Sequence, residues 1–255
     1  MTALLIAERV SKYFGGLCAL HNVSFIVEKG QITGLIGPNG AGKTTLFNLI
    51  TGVFPVSDGR ILWDGSEITG LRTHVIAQRG IVRTFQNVNL FPNLSALENV
   101  MVGMHRHASV GLLAAALGLP TVWKAESQVK QRAEEILDFV GLSGQVDEKA
   151  SDLAFGHQRL LEMARALAAE PRLLLLDEPA AGLNIDETSQ LGEFLFRVRD
   201  SGVTVFLVEH DMRLVMDVCD QLIVLNFGEK ISEGTPQEVQ DDPVVLSAYL
   251  GRKRN

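Results

Sequence analysis

Cysteine, tryptophan and tyrosine each occur only twice in the 255 residues of this chain. The two cysteines, Cys18 and Cys219, do not have the short spacing of metal ligands. A pair of distant cysteines also cannot provide the framework of a disulfide-stabilised domain. The scarcity therefore excludes small disulfide-rich and zinc-finger proteins, and it favours a reduced protein of the cytosol.

A hydrophobic run long enough to cross a membrane is also missing. The most apolar window, residues 110–123, is shorter than the roughly 20 residues that a span requires, and it contains Gly118 and Pro120. The first residues, MTALLIAERV, do not place a basic segment before a long apolar one, so no signal peptide is predicted. Any association with a membrane is therefore expected to depend on a partner.

Positive charge is not in excess, because the formal net charge is −7. Broad electrostatic binding of nucleic acid needs a clustered basic surface, so no nucleic-acid partner is predicted. The 46% hydrophobic content is that of an ordinary globular α/β protein. A chain of this length can bury the core of one large domain, or of a domain with a lobe.

Strand patterns and helical patterns alternate along the chain. Two continuous apolar runs, residues 172–176 and 203–208, are typical of buried parallel strands. Helical spacing covers about 95–141 and 159–169. The remaining apolar segments indicate strands at residues 4–10, 23–27, 31–36 and 80–85, and a hairpin around 59–68. This order predicts an α/β fold.

The segment GPNGAGKT, Gly37–Thr44, fits the phosphate-loop pattern G-x-x-x-x-G-K-[ST] in full. Glycines allow the backbone to wrap closely around phosphate oxygens, and the N–H groups of the loop and of the following helix attract anions. We expect Lys43 to hold the β- and γ-phosphates of a nucleotide and the Thr44 hydroxyl to bind Mg²⁺.

Acidic and imidazole side chains follow the two buried strands. Asp177 and Glu178 come directly after the run ending at Leu176, and His210 comes shortly after the run ending at Val208. Ligands of open α/β sheets bind at the carboxyl ends of the strands, so these side chains are expected at one site. Asp177 suits a role at Mg²⁺, Glu178 suits a base that positions or deprotonates the attacking water, and His210 suits a γ-phosphate contact.

With these motifs in this order, the chain resembles the nucleotide-binding subunits of ABC transporters over essentially its whole length. The resemblance implies a phosphate-loop NTPase fold with a mixed core sheet, an N-terminal antiparallel β subdomain and an inserted helical lobe. It implies one nucleotide-binding domain over residues 1–255, with its core at about 1–86 and 165–240, the lobe at 87–164 and a tail at 241–255. ATP and Mg²⁺ are the implied cofactors.

The resemblance also assigns roles that no single residue suggests alone. Tyr13 matches the aromatic residue that stacks on adenine, and Gln86 matches a glutamine that contacts Mg²⁺ and faces the membrane subunit. Residues 180–184 match the D-loop, which usually ends in aspartate where this chain has Asn184. The implied catalytic residues are Glu178, His210, Lys43 and Gln86, and the implied Mg²⁺ ligands are Thr44, Gln86 and Asp177. The implied ATP-binding residues are Tyr13, Gly37, Pro38, Asn39, Gly40, Ala41, Gly42, Lys43, Thr44, Thr45, Ala154, Phe155, Gly156 and His157.

The family's signature sequence, usually LSGGQ, reads LAFGH here. Ala154 replaces the serine and removes a hydroxyl that can contact the γ-phosphate, a contact worth roughly 0.5–1.5 kcal/mol. Backbone N–H groups around Gly156 and a helix predicted to start near His157 would still face phosphate.

The detailed sequences of the motifs resemble those in the ATPases of branched-chain amino-acid importers. Examples are RTFQNVNLFPNLSALENV and LLDEPAAGLN. The implied function is ATP hydrolysis that drives such an importer, with ATP bound between two paired ATPase subunits and Glu178 as the general base. The pair consists of two identical copies or, as this subfamily favours, two related chains. Permease subunits and, indirectly, an extracytoplasmic solute-binding protein are the other implied partners, which places the chain at the cytoplasmic face of the plasma membrane.

Three alternatives stay open at this point. The ATPases of importers for urea or other amides share the same motif sequences. A soluble ABC ATPase of DNA repair or translation would show coiled coils or a second ATPase half with a basic linker, and this chain has neither. A GTPase switch protein would share only the phosphate loop, and its N-K-x-D motif does not occur here.

Overall fold

The computed structural model of the protein describes residues 2–84, 89–104 and 120–250. It divides into two units, each with its own internal packing. One unit comprises Met1–Arg83 together with Arg172–Asn255, and the other comprises Thr84–Pro171.

The described residues form ten strands and nine α-helices. The strands are β1 (Ala3–Phe14), β2 (Leu17–Glu28), β3 (Ile32–Ile36), β4 (Asp58–Trp63), β5 (Ser66–Glu67), β6 (Ile81–Arg83), β7 (Leu173–Asp177), β8 (Thr204–Val208), β9 (Gln221–Asn226) and β10 (Glu229–Gly234). The helices are α1 (Lys43–Ile50), α2 (Thr73–Gln78), α3 (Ala96–Gly103), α4 (Pro120–Phe139), α5 (Phe155–Leu167), α6 (Ile185–Asp200), α7 (Met212–Val218), α8 (Pro236–Gln240) and α9 (Pro243–Leu250).

The first unit contains two sheets. An antiparallel sheet has the order β2-β1-β4-β5, and a six-stranded sheet has the order β10-β9-β3-β8-β7-β6. In the second sheet β9, β3, β8, β7 and β6 run parallel to one another, while β10 is antiparallel to β9. The predicted combination of a mixed core sheet with an N-terminal antiparallel sheet is confirmed.

Three of the four inner strands of the mixed sheet are buried along their whole length. Every residue of β3, β7 and β8 is buried, as their continuous apolar sequences predict. Phe47 of α1 and Phe206 of β8 pack with ring centroids 5.1 Å apart in the core beside the sheet. Parallel pairing sets Asp177 opposite Val208, and Val208 opposite Leu35, so the carboxyl ends of these strands lie side by side. The phosphate loop, Glu178 and His210 follow strands that end at that edge.

Several elements extend beyond the sequence prediction, and β2, for example, begins at Leu17 and not at residue 23. Strand β1 continues past residue 10 to Phe14, because after register irregularities it still pairs with β4 at Ser11 and with β2 as far as Phe14. Residues 241–255, predicted as a tail, contain helix α9. Asp242 accepts a hydrogen bond from the Val244 N–H at 2.8 Å, and Pro243 occupies the first helical position, where a missing N–H costs nothing.

The second unit is helical. Ser95 and Glu98 form a capping box at the start of α3. The apolar residues at helical spacing in α4 are buried at Ala133, Ile136 and Leu137, whereas Val129 is half-buried and Val140 is buried just after the helix ends. Residues 105–119 lie outside the described residues. Within the described part of the chain, no helix is long and apolar enough to cross a membrane.

Candidate active site

The phosphate loop connects β3 to α1, and close packing requires glycine at two of its positions. A Cβ at Gly37 would lie 2.0 Å from the Leu225 carbonyl oxygen, and Gly37 has a φ of 147°. A Cβ at Gly42, where φ is 103°, would lie 2.6 Å from a methyl group of Leu20. Only glycine fits these positions without a shift of the backbone. The loop therefore has the local geometry that the pattern predicts.

Lys43 is buried at the first position of α1. Its ammonium group donates hydrogen bonds to the carbonyl oxygens of Gly37 at 2.7 Å and of Pro38 at 3.1 Å. Burial lowers the pKa of Lys43, while the negative charges of Glu178 and Asp177 act to raise it. The lysine thus lies within the electrostatic reach of both predicted acids.

Asp177 is buried at the end of β7 and forms an ion pair that the sequence analysis does not predict. Arg83 Nη2 lies 2.6 Å from Asp177 Oδ2, and both side chains are buried. The other terminal nitrogen of the guanidinium, Nη1, donates to Asn48 Oδ1 on α1 at 2.6 Å. Arg83 therefore links the ends of β6 and β7 to the helix of the phosphate loop. The only sequence signal was a single basic residue in an apolar strand.

Glu178 has a strained backbone and contacts His210. Its φ is 51°, in the left-handed region that non-glycine residues rarely adopt. Glu178 Oε1 lies 2.9 Å from His210 Nε2, and both side chains are partly accessible to solvent. The two side chains that the sequence places at neighbouring strand ends are within hydrogen-bonding distance.

Glu209 is the second residue that sequence reasoning missed. The side chain is buried, and its Oε1 accepts a hydrogen bond from the Ala180 N–H at 2.7 Å. Its Oε2 accepts from the His210 N–H at 2.8 Å and from the Asp211 N–H at 3.3 Å. Burial raises the pKa of Glu209, and these backbone hydrogen bonds oppose the rise. An acid directly after a buried strand was the available signal.

Asn184 has a clear structural role at the position where the resemblance implies aspartate. It is the N-cap of α6, where its Oδ1 accepts from the Glu187 N–H at 3.0 Å. Glu187 Oε2 in turn accepts a hydrogen bond from the Asn184 N–H at 2.9 Å, which completes a capping box.

We expect Asn184→Ala to lower the free energy of unfolding by about 1 kcal/mol, because it removes this cap. Asn184→Asp keeps an oxygen acceptor and adds a charge that suits a helix N-terminus, so its stability should stay within about 0.5 kcal/mol of wild type. Urea unfolding followed by circular dichroism measures both. Equal stabilities for the two variants would contradict the capping role.

The signature residues belong to the second unit. Helix α5 begins at Phe155, two residues earlier than the expected start near His157. The difference arises because Ala154 has an extended backbone (φ −58°, ψ 151°) and serves as N-cap, its carbonyl accepting from the Gln158 N–H at 2.9 Å. Phe155, Gly156 and His157 are the first three helical residues, whose N–H groups have no intrahelical acceptor in any helix. Such a terminus can bind an anion.

Tyr13 and Gln86 complete the predicted set. Tyr13 lies on β1 and is 45% exposed, which leaves its ring accessible for stacking. Its backbone N–H donates to Ser57 Oγ at 3.1 Å. Gln86 lies outside the described residues.

The described residues have the chemistry needed to bind Mg²⁺ and a nucleoside triphosphate. The Asp177 carboxylate and the Thr44 hydroxyl are oxygen ligands of the kind that Mg²⁺ prefers. Gly37 and Gly42 leave no room for a side chain, and α1 presents its N-terminus at the loop, as phosphate binding requires.

Known proteins resemble this chain along nearly its whole length. A model of the ABC transporter family matches residues 20–181, and a model of the branched-chain amino acid ATP-binding cassette transporters matches residues 229–254. The high-affinity branched-chain amino acid transport ATP-binding protein BraF of Pseudomonas aeruginosa is 46% identical over 249 residues, which cover 97% of this chain and 98% of BraF.

Two solved structures extend the comparison. A crystal structure of the ADP conformation of an ATP-binding cassette of an ABC transporter has a TM-score of 0.86 and 34% identity, and the match covers 99% of this chain and 100% of that one. A dimeric post-hydrolysis ATP-binding cassette bound to ADP and Pi has a TM-score of 0.76 and 26% identity, with 91% and 99% covered.

Proposed function

We propose a transport role for this chain because it belongs to the ABC transporter family, as an ATPase related to the branched-chain amino acid transport ATP-binding proteins. In this proposal the chain hydrolyses ATP to drive an importer of branched-chain or other hydrophobic amino acids. Because the alignment covers nearly all of BraF, the similarity supports an equivalent role for the whole subunit.

The observation that carries the hydrolytic part is the Glu178–His210 pair at 2.9 Å. Glu178 accepts a proton from the attacking water, and His210 contacts the γ-phosphate and orients the Glu178 carboxylate. Lys43 and the N–H groups of the phosphate loop bind the phosphates. Thr44, Asp177 and Gln86 hold Mg²⁺, which supplies charge neutralisation at the β- and γ-phosphates when bound. Tyr13 stacks on the adenine ring.

We further propose that ATP is bound between two paired ATPase subunits. Each nucleotide contacts the phosphate loop of one subunit and residues Ala154–His157 of the other. The N-terminus of α5 supports this arrangement, since its first N–H groups can bind phosphate without a serine hydroxyl. The dimeric structural neighbour, an ATP-binding cassette bound to ADP and Pi, supports the pairing. We favour a second, related chain as the partner.

The remaining partners are the permease subunits, which would hold the chain at the cytoplasmic face of the plasma membrane, and a solute-binding protein that acts through them. Gln86 and its neighbours are the proposed contact with the permease. The absence of a spanning helix among the described residues is compatible with a peripheral subunit.

The test is purification of the chain from membranes of its own cells, identification of the co-purifying permease and ATPase by mass spectrometry, and reconstitution of the complex in proteoliposomes with its binding protein. We expect ATP-dependent uptake of labelled leucine. The matched control is a complex with Lys43→Ala, which lacks the phosphate-binding ammonium group and should transport nothing.

Other outcomes would contradict parts of the proposal. Uptake of urea without uptake of leucine would contradict the substrate class but keep the transport function. Purification without a permease, together with salt-sensitive binding to DNA or ribosomes, would overturn the transport function itself.

A further inference from the structure

The backbone of Glu178 is held in a conformation that it would not adopt alone. With a φ of 51° it lies in the left-handed region, directly after the last residue of β7. A residue with a Cβ keeps this backbone conformation only when the surrounding structure fixes it, and such backbone strain is concentrated at functional sites.

Two hydrogen bonds fix the chain on either side of that strained residue. The Glu178 N–H donates to the Val208 carbonyl oxygen at 2.8 Å. Two residues later, the Ala180 N–H donates to the Glu209 carboxylate at 2.7 Å. Both acceptors belong to consecutive residues at the end of β8, so this strand end determines the path of the backbone through Glu178.

The same carboxylate fixes the backbone of His210. Glu209 Oε2 accepts from the N–H groups of His210 and Asp211 at 2.8 and 3.3 Å. One buried side chain therefore connects the two segments that supply the contact between Glu178 and His210. A buried carboxylate is costly, and an apolar residue of similar size would often serve stability better. Its position between two reacting groups points to a role in their alignment.

We infer that Glu209 is a positioning residue for ATP hydrolysis, which holds the Glu178 backbone and the His210 backbone in register through its two carboxylate oxygens. The inference rests on the proposed function of Glu178.

The test is Glu209→Gln, which keeps the size of the side chain. Whichever way the amide is oriented, its NH₂ group faces a backbone N–H that the carboxylate now accepts, so one of the two connections is lost. We expect kcat for ATP to fall by about 10- to 100-fold, since small misplacements of reacting groups have effects of this size. KM for ATP should stay within about twofold, because the phosphate loop is unchanged. The control Glu229→Gln makes the same change at an exposed position on β10 and should keep wild-type kcat.

A second measurement separates positioning from a general loss of structure. In a background that combines Glu178→Gln with His210→Ala, Glu209 has neither the base nor the histidine to position, so adding Glu209→Gln should change the residual single-turnover rate by less than about twofold. A structural defect would lower that rate by the same factor in both backgrounds. Glu209→Asp, which keeps the charge but is too short to reach both segments, should also lower kcat.

Wild-type kcat in Glu209→Gln or Glu209→Asp would overturn the inference, and so would an equal loss in both backgrounds. These results are distinct from a failure of the proposed function. If Glu178→Gln itself turned over normally, the base assignment would be wrong. If Glu178→Gln is inactive and the Glu209 variants are normal, only the positioning role is wrong.

Discussion

Glu178→Gln is expected to lower the rate of ATP hydrolysis by about 10²- to 10⁴-fold, the usual contribution of a general base. Glutamine has the shape of glutamate and can keep a hydrogen bond to His210 at the observed 2.9 Å, but it cannot accept a proton from water. The phosphate loop is untouched, so ATP binding should stay within about twofold of wild type. Phosphate release measures the first effect, and a fluorescent ATP analogue measures the second.

The same variant tests the proposed pairing of subunits. If hydrolysis reopens the pair, a subunit that binds ATP without hydrolysing it should accumulate as a dimer, which light scattering after size-exclusion chromatography detects. Glu193→Gln, an exposed position on α6, is the matched control and should behave as wild type. Turnover at the wild-type rate in Glu178→Gln would show that another group serves as the base.

The parts of the fold that the sequence predicts are those with strong local patterns. The apolar runs of β7 and β8 are buried at every residue, and the acids and histidine that follow them lie at one edge of the sheet. Parallel pairing explains this success, because it sets strand ends side by side whatever the loops do. The phosphate loop is likewise a local pattern, with Gly37 and Gly42 at positions where a Cβ would collide.

The missed features depend on contacts between residues far apart in the sequence. Glu209 and Ala180 are 29 residues apart, and Arg83 and Asp177 are 94 apart. Nothing in the local sequence distinguishes either side chain from a solvated charge at a strand end. The left-handed φ of Glu178 is equally invisible, because it follows from hydrogen bonds made by β8 and from no preference of glutamate. Sequence therefore indicates which side chains reach the site, and tertiary contacts determine how they are held.

Arg83→Met is expected to have the largest effect on stability of any single change considered for this chain. Arg83 and Asp177 form a buried pair at 2.6 Å, and methionine fills the space of the arginine stem without its charge. Removing one member of a buried pair leaves an uncompensated charge, which typically costs about 3–5 kcal/mol of unfolding free energy. Because the Lys43 ammonium also interacts with Asp177, we expect a loss of about 3 kcal/mol, the lower end of that range. Urea unfolding followed by circular dichroism provides the measurement.

Two further variants decide whether the charge pair is the cause. Arg83→Met combined with Asp177→Asn removes both charges, so it should be more stable than Arg83→Met alone, although Asp177→Asn abolishes the proposed Mg²⁺ role. Arg60 and Glu8 form an ion pair of the same 2.6 Å length at an exposed site, so Arg60→Met should unfold at the wild-type urea concentration. If the double variant is less stable than Arg83→Met, the loss comes from packing or from the Asn48 contact and the ion pair is not its source. The expected order ties the stability of the first unit to the aspartate proposed to hold Mg²⁺, since the same guanidinium joins Asp177 to the helix that follows the phosphate loop.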